Sequence, residues 1–133
     1  DMSRRFGGSN ARVLGLMQNL PSGTVALAAL KNSPVLQKAK TLGLEVYSIA
    51  SHKADPRIHW RLRRIIREGT FNVVDAQNPQ SRLWASFVRN HVSAALVSTV
   101  NSWNELEYGG TLKGHLYQYI ERFTAKRPFH RPF

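Results

Sequence analysis

The sequence predicts an α/β fold, a parallel sheet with helices on both faces that lacks its first strand. Short apolar runs alternate with amphipathic stretches at roughly twenty-odd residues per unit, which suits right-handed strand-helix-strand crossovers. Ser33-Pro34, Asp55-Pro56 and Asn78-Pro79 each place a side-chain acceptor where a helix needs an N-cap, with proline at the first helical position. Gly43 and Gly69 then stand where two of those helices should end, glycine being the residue that best tolerates the left-handed conformation there.

In chain order, Asp1 to Phe6 is a polar lead into Gly7-Gly8-Ser9-Asn10. Ser9 is placed to cap a helix over Arg12 to Leu20, with Val13, Met17 and Leu20 on one face. Gly15 weakens that helix by about 1 kcal/mol relative to alanine. Pro21-Ser22-Gly23 ends it, and TVALAAL from Thr24 to Leu30 has the continuous apolar character of a parallel strand buried on both faces. The three proline-marked helices run to about Leu42, Glu68 and Asn90, with strands following at Leu44 to Ile49, Phe71 to Ala76 and Ala94 to Val100. The last of these helices is expected to bury Leu83, Trp84, Phe87 and Val88. After Gly109-Gly110, Leu112, Leu116, Tyr119, Ile120 and Phe123 give a final amphipathic helix. Because few residues precede Gly7-Gly8, the first strand of such a sheet is either missing or supplied in another way.

A chain of 133 residues with 42% hydrophobic content has the size and apolar material of one domain. We expect that domain over residues 1–125, followed by a basic tail over 126–133. The absence of cysteine rules out a disulfide framework and thiolate metal sites, and fits a reducing, cytoplasmic compartment. The apolar runs fall far short of the roughly 20 residues that span a bilayer, and the first residues carry no signal-peptide core. A net charge of +11 and a pI near 10.9 should attract polyanions: nucleic acid, an anionic bilayer face or phosphorylated small molecules.

The stretch from Asn72 to Gly110 carries the chemistry. Each of its apolar strands ends in a cluster of hydrogen-bonding side chains, and ligands of open parallel sheets bind just beyond the strands' carboxyl ends. Asp75, Gln77, Asn78, Ser81 and Arg82 occupy the first such turn and suit directional hydrogen bonds to a polyhydroxylated ligand, although Asn78 is also a helix cap. In the loop from Asn101 to Glu107, Ser102, Trp103, Asn104 and Glu105 combine an aromatic face with polar partners; Trp103 equally suits a core. Gly7, Gly8 and Asn10 can offer backbone amides at a helix start to a phosphate, or simply form a loop, since they match neither G-x-G-x-x-G nor a P-loop. The helix from Arg57 to Arg67 sets Arg57, Arg61, Arg63, Arg64 and Arg67 against Ile58, Leu62, Ile65 and Ile66. That is a basic amphipathic helix for an anionic membrane or polyanion, or the solvated back of a sheet-packing helix. No helix-turn-helix, zinc pattern or aromatic RNA-binding strand accompanies it, which disfavours nucleic acid. The five histidines have no metal-ligand spacing, and neither a G-x-S-x-G elbow nor a cysteine nucleophile is present.

The pattern GG-x-x-x-x-V-L, then VVDAQNPQSRLWAS, LVSTVNSWNELEYGG and LYQYIERFTA, resembles the N-terminal Rossmann-like domain of family 4 glycosyltransferases, retaining enzymes of the GT-B fold, over about residues 7 to 125. The resemblance implies a single Rossmann-like, GT-B N-terminal domain on the acceptor side of a nucleotide-sugar-dependent hexosyltransferase. It implies Gly7 and Gly8 near the donor phosphates, and Asp75, Gln77 and Asn101 lining the acceptor side. A saccharide or lipid is the implied acceptor, and the donor site lies on a C-terminal domain or companion chain, so this chain alone would not transfer sugar. No cofactor is expected in the chain itself beyond that nucleotide-sugar donor. Basic N-domain helices in such enzymes often serve membrane attachment, which would place the protein peripherally on the inner membrane face through Arg57, Arg61, Arg64 and Arg67. Family members often carry glutamate where this chain has Asn10, and histidine where it has Asp75, Gln77 and Asn101. Asn101 can hydrogen-bond but cannot accept a proton near neutral pH, so a catalytically silent binding module is the alternative.

Overall fold

The structure, a computed structural model, describes residues 1–2, 4–98 and 110–125, without the side chains of Tyr117, Glu121, Thr124 and Ala125. The fold class is α/β and Rossmann-like in its parallel, helix-bridged strands. It divides into two compact units, Asp1–Ile65 and Ile66–Phe133.

In the first unit, α1 (Gly8–Asn19) precedes β1 (Leu27–Leu30), α2 (Pro34–Thr41) and β2 (Val46–Ala50), and β1 pairs in parallel with β2 from Leu27 beside Val46 to Leu30 beside Ala50. Val13, Leu14 and Met17 of α1, Leu27 and Ala29 of β1, and Val35, Leu36 and Ala39 of α2 form one apolar cluster. Leu27, Ala29 and Leu30 are all buried, as expected of a strand covered on both faces. Helix α1 starts earlier than Ser9 would allow. Its N-cap is the extended Gly7, and Asn10, 1% exposed, reaches back to accept from the Gly7 N–H at 2.9 Å. Ser9 therefore lies inside the first turn, and the side chain three residues into the helix performs the capping expected of it. Among the described residues no strand precedes α1; Met2 is buried, and the Asp1 nitrogen donates to the Ala28 carbonyl of β1.

In the second unit, β3 (Val73–Ala76), α4 (Pro79–Val88), a 3₁₀ turn (Arg89–His91) and β4 (Ala95–Ser98) form a parallel crossover, with Val73 beside Ala95 and Ala76 beside Ser98. Helix α5 (Leu112–Ala125) packs on α4. Ala76, Ala85 and Leu96, with Val74, make the core of this unit. Two expectations fail here. The strands are not buried on both faces, since α4 covers Val74, Ala76 and Leu96 while Val73, Asp75 and Val97 are exposed. Helix α4 turns Ser81, Ala85 and Val88 inward at spacings of four and three, so small side chains let it approach the strands closely. Leu83 and Trp84 are only half-buried and Phe87 is exposed, its ring edge-on to Trp84 at 5.8 Å.

The three proline-marked caps are present. Ser33 Oγ accepts from Leu36 N–H at 3.4 Å, Asp55 Oδ1 from Arg57 N–H at 2.9 Å, and Asn78 Oδ1 from Ser81 N–H at 2.9 Å. Gly43 is left-handed after α2 at φ 68°, but after α3 (Arg57–Glu68) the left-handed residue is Thr70 at φ 52° rather than Gly69. No helix among the described residues is long and apolar enough to cross a membrane.

Candidate functional site at the carboxyl end of β3

The sequence rises out of β3 directly into polar residues, so the chain leaves the strand at Ala76 and enters α4 at Pro79 within a very short turn. That brevity brings the side chains together. Gln77, 8% exposed, donates its Nε2–H to Asp75 Oδ2. Asp75 projects from the exposed face of β3, so a buried amide orients a solvent-facing carboxylate. Asn78 Oδ1 accepts from both Ser81 N–H at 2.9 Å and Ser81 Oγ–H at 2.7 Å, fastening the first turn of α4. Ser98, at the end of β4, donates through Oγ to the Ala76 carbonyl at 3.3 Å and ties the two strand ends. Arg82 is half-buried one turn into the helix, beside the positive end of the helix dipole.

The structure thus brings Asp75 and Gln77 into one hydrogen-bonded pair, and Asn78 and Ser81 into another. It gives Ser98, which no sequence motif marks, a part in the same strand end, opposite Ala76 in the register of β3 with β4. Chemically the arrangement offers a carboxylate acceptor, amide and hydroxyl groups and a guanidinium, the equipment for binding hydroxyl-rich ligands. Asn101, Ser102, Trp103 and Glu105 lie outside the described residues. Among the described residues no three histidine or carboxylate side chains gather as metal ligands would.

The remaining candidates belong to the first unit and to α3. Gly7 and Gly8 are exposed and their φ values do not demand glycine; a Cβ at either would meet nothing within 4 Å. The Gly7 N–H is engaged by Asn10 Oδ1, and Asn10 also donates through Nδ2 to Asp1 at 2.8 Å, so the pair offers an approaching group room rather than a row of unused amides.

On α3, Ile58, Leu62 and Ile66 are buried while Arg57, Arg61, Arg64 and Arg67 are exposed, so the amphipathic expectation holds. Arg61 Nη1 donates to the Ile49 carbonyl at 2.7 Å, and Arg57 pairs with Asp55 at 2.9 Å. The Arg57 side-chain hydrogen bond, with its backbone N–H, holds the Asp55 carboxyl down at about 2, and the carboxylate raises Arg57 in turn. Trp60, which the sequence reading passed over, is 66% exposed on this arginine face, with the Arg63 guanidinium 5.4 Å from its ring. Its spacing of three from Arg57 and four from Arg64 was legible.

A family model described as a glycosyl transferase 4-like domain matches residues 7–130, which takes in both units and every candidate above. The chain belongs to the glycosyl transferase 4-like family. No curated protein and no solved structure matches it. Membership relates this glycosyl transferase 4-like domain to sugar transfer.

Proposed function

We propose that this glycosyl transferase 4-like domain is the acceptor-side half of a retaining GT-B glycosyltransferase. A sugar passes from a nucleotide-sugar to a saccharide or lipid acceptor, and a donor-binding domain or companion chain completes the site. The observation that carries the reading is the exposed Asp75 carboxylate oriented by buried Gln77 at the carboxyl end of a parallel strand, in a chain of this family. In the transfer the acceptor oxygen forms a bond to the anomeric carbon, the bond to the nucleoside diphosphate breaks with its electron pair on the departing phosphate oxygen, and the hydroxyl proton passes to that oxygen or to the Asp75 carboxylate. Asp75 is suited to accept a hydrogen bond from that hydroxyl, with Asn101 beside the acceptor as the resemblance implies. Gln77, Asn78, Ser81, Arg82, Ser102, Trp103 and Glu105 supply further acceptor contacts, while the uncrowded pair Gly7 and Gly8 leaves room for donor phosphates.

The test is transfer of labelled sugar by the domain joined to a donor-binding domain. Loss of transfer in Asp75→Asn and a raised KM for acceptor in Gln77→Ala support the reading. Unchanged kcat and KM in both variants would overturn it.

A second reading is favoured by Asp75, Gln77 and Asn101 standing where the resemblance implies histidine: a binding module without catalysis, whose arginine face on α3 meets an anionic membrane or polyanion on the inner side of the cell membrane. The exposure of Arg57, Arg64 and Arg67 around Trp60 supports it. Absence of transfer from every nucleotide-sugar tried, with saccharide binding retained, would select this reading.

A further inference from the structure

We propose that the outer side of α3, centred on Trp60, binds a chain of acidic sugars such as a uronic-acid polymer. The inference rests on the polyanion half of the second reading above, names its ligand class, and does not depend on catalysis. On a helix turning about 100° per residue, Trp60 stands about 160° from both Ile58 and Leu62, the side chains through which α3 enters the core. The indole therefore sits on the side of the helix that faces away from the core. Arg57, Arg63 and Arg64, at spacings of three and four, stand within about 60° of it. The ring is held in place: His59 meets it edge-on at 5.1 Å, and the Arg63 guanidinium lies 5.4 Å from its centroid. Arg63 Nε is buried with no hydrogen-bond partner among the described residues, so this guanidinium rests on the ring. Arg57 is held by Asp55, which makes Arg63 and Arg64 the cations that a ligand stacked on Trp60 meets. Apart from Glu68 at its last position, α3 carries no acid.

The chemistry of this surface selects its occupant. Entry into a bilayer needs a broad apolar face, and α3 has already buried Ile58, Leu62 and Ile66; Trp60 is the one exposed apolar side chain of the helix. Single-stranded nucleic acid is held by stacking successive bases on several aromatic side chains, and α3 exposes a single ring. A second copy would set arginine against arginine on chains of net charge +11, which repel. An acidic sugar chain matches both parts of the surface. The C–H face of a pyranose ring carries slight positive charge and suits the negative face of an indole. The carboxylates accept from guanidinium groups, whose planar fork fits them. Sugars are also the ligand class to which the family of this chain relates it.

The experiment is titration calorimetry of the full chain with oligogalacturonate at low salt, beside dextran oligomers, polyglutamate, polyuridylate and phosphatidylglycerol vesicles. Oligogalacturonate should bind, less tightly as salt rises, and neutral dextran should not. Trp60→Ala, at a side chain mostly in solvent, should weaken oligogalacturonate binding roughly ten-fold and leave polyglutamate binding unchanged. Trp60→Tyr, which keeps a ring face, should recover most of the loss, and Arg64→Gln should weaken the binding of both acids. Three outcomes would overturn the inference. They are equal oligogalacturonate affinity in Trp60→Ala and wild type, polyglutamate or polyuridylate binding as tightly as oligogalacturonate, or vesicle binding without oligogalacturonate binding. The last removes this inference and leaves the membrane half of the second reading standing, whereas binding of none of the anions removes both.

Discussion

Removing the Asn78 side chain separates structural from ligand-binding roles at the β3 strand end. Asn78→Ala deletes the acceptor that caps α4 and, in the same step, the partner of the Ser81 hydroxyl, on a residue 8% exposed. Loss of a side-chain cap costs about 1 kcal/mol, and leaving a buried hydroxyl unpaired adds about 1 kcal/mol more. The expected destabilisation is therefore about 2 kcal/mol, and with an m-value of about 2 kcal/mol/M the urea midpoint falls by about 1 M. Because the chain forms two units, the transition should be followed inside the second. Replacing Trp60 and Trp103 by phenylalanine leaves the fluorescence of Trp84, on α4, as the probe. Asn78→Asp keeps the acceptor and should stay within about 0.5 kcal/mol of the parent. In the Asn78→Ala/Ser81→Ala pair the orphaned hydroxyl is gone, so the two losses should be less than additive. A midpoint shift below about 0.2 M for Asn78→Ala would refute the capping argument.

Other perturbations follow from the same geometry. Leu96→Ala, at a residue 1% exposed in the small core with Ala76 and Ala85, should cost about 2–5 kcal/mol by urea denaturation. The Asp55 carboxyl is depressed from 3.8 to about 2, so its contribution to stability is present above about pH 4 and lost as pH falls toward 2. Asp55→Asn should accordingly flatten the acid limb of a stability–pH profile and leave the neutral-to-basic part parallel to the parent. Arg61→Ala removes the donor to the Ile49 carbonyl and should lower stability by about 1 kcal/mol, read as a urea midpoint.

Local grammar in the sequence was read well wherever one residue decides the structure. Ser33, Asp55 and Asn78 cap as expected because a short acceptor before proline has few other uses, and Gly43 takes the left-handed turn. The same grammar misplaced the start of α1, where Asn10 competed successfully with Ser9, and the turn after α3, where Thr70 rather than Gly69 is left-handed. Burial was less legible because hydrophobicity does not say which partner covers a face. Phe87, Val73 and Val97 look like core in the sequence, yet α4 meets the strands through Ser81, Ala85 and Val88 instead. At the site, the residues of the β3 turn were all visible in the sequence. Their pairings, Gln77 with Asp75 and Asn78 with Ser81, depend on rotamers set by the turn and were not. Trp60 and Ser98 were missed because neither completes a recognised motif.

The proposed function requires a saccharide acceptor to meet the carboxyl end of β3. Backbone amide chemical shifts of the isotopically labelled chain, followed while a panel of mono- and disaccharides is titrated in, test it most directly. Saturable shifts concentrated from Asp75 to Arg82, reduced in Gln77→Ala while the chain stays folded, are the expected result. Saturable shifts confined to other elements, or none at the β3 turn for any saccharide, would contradict it.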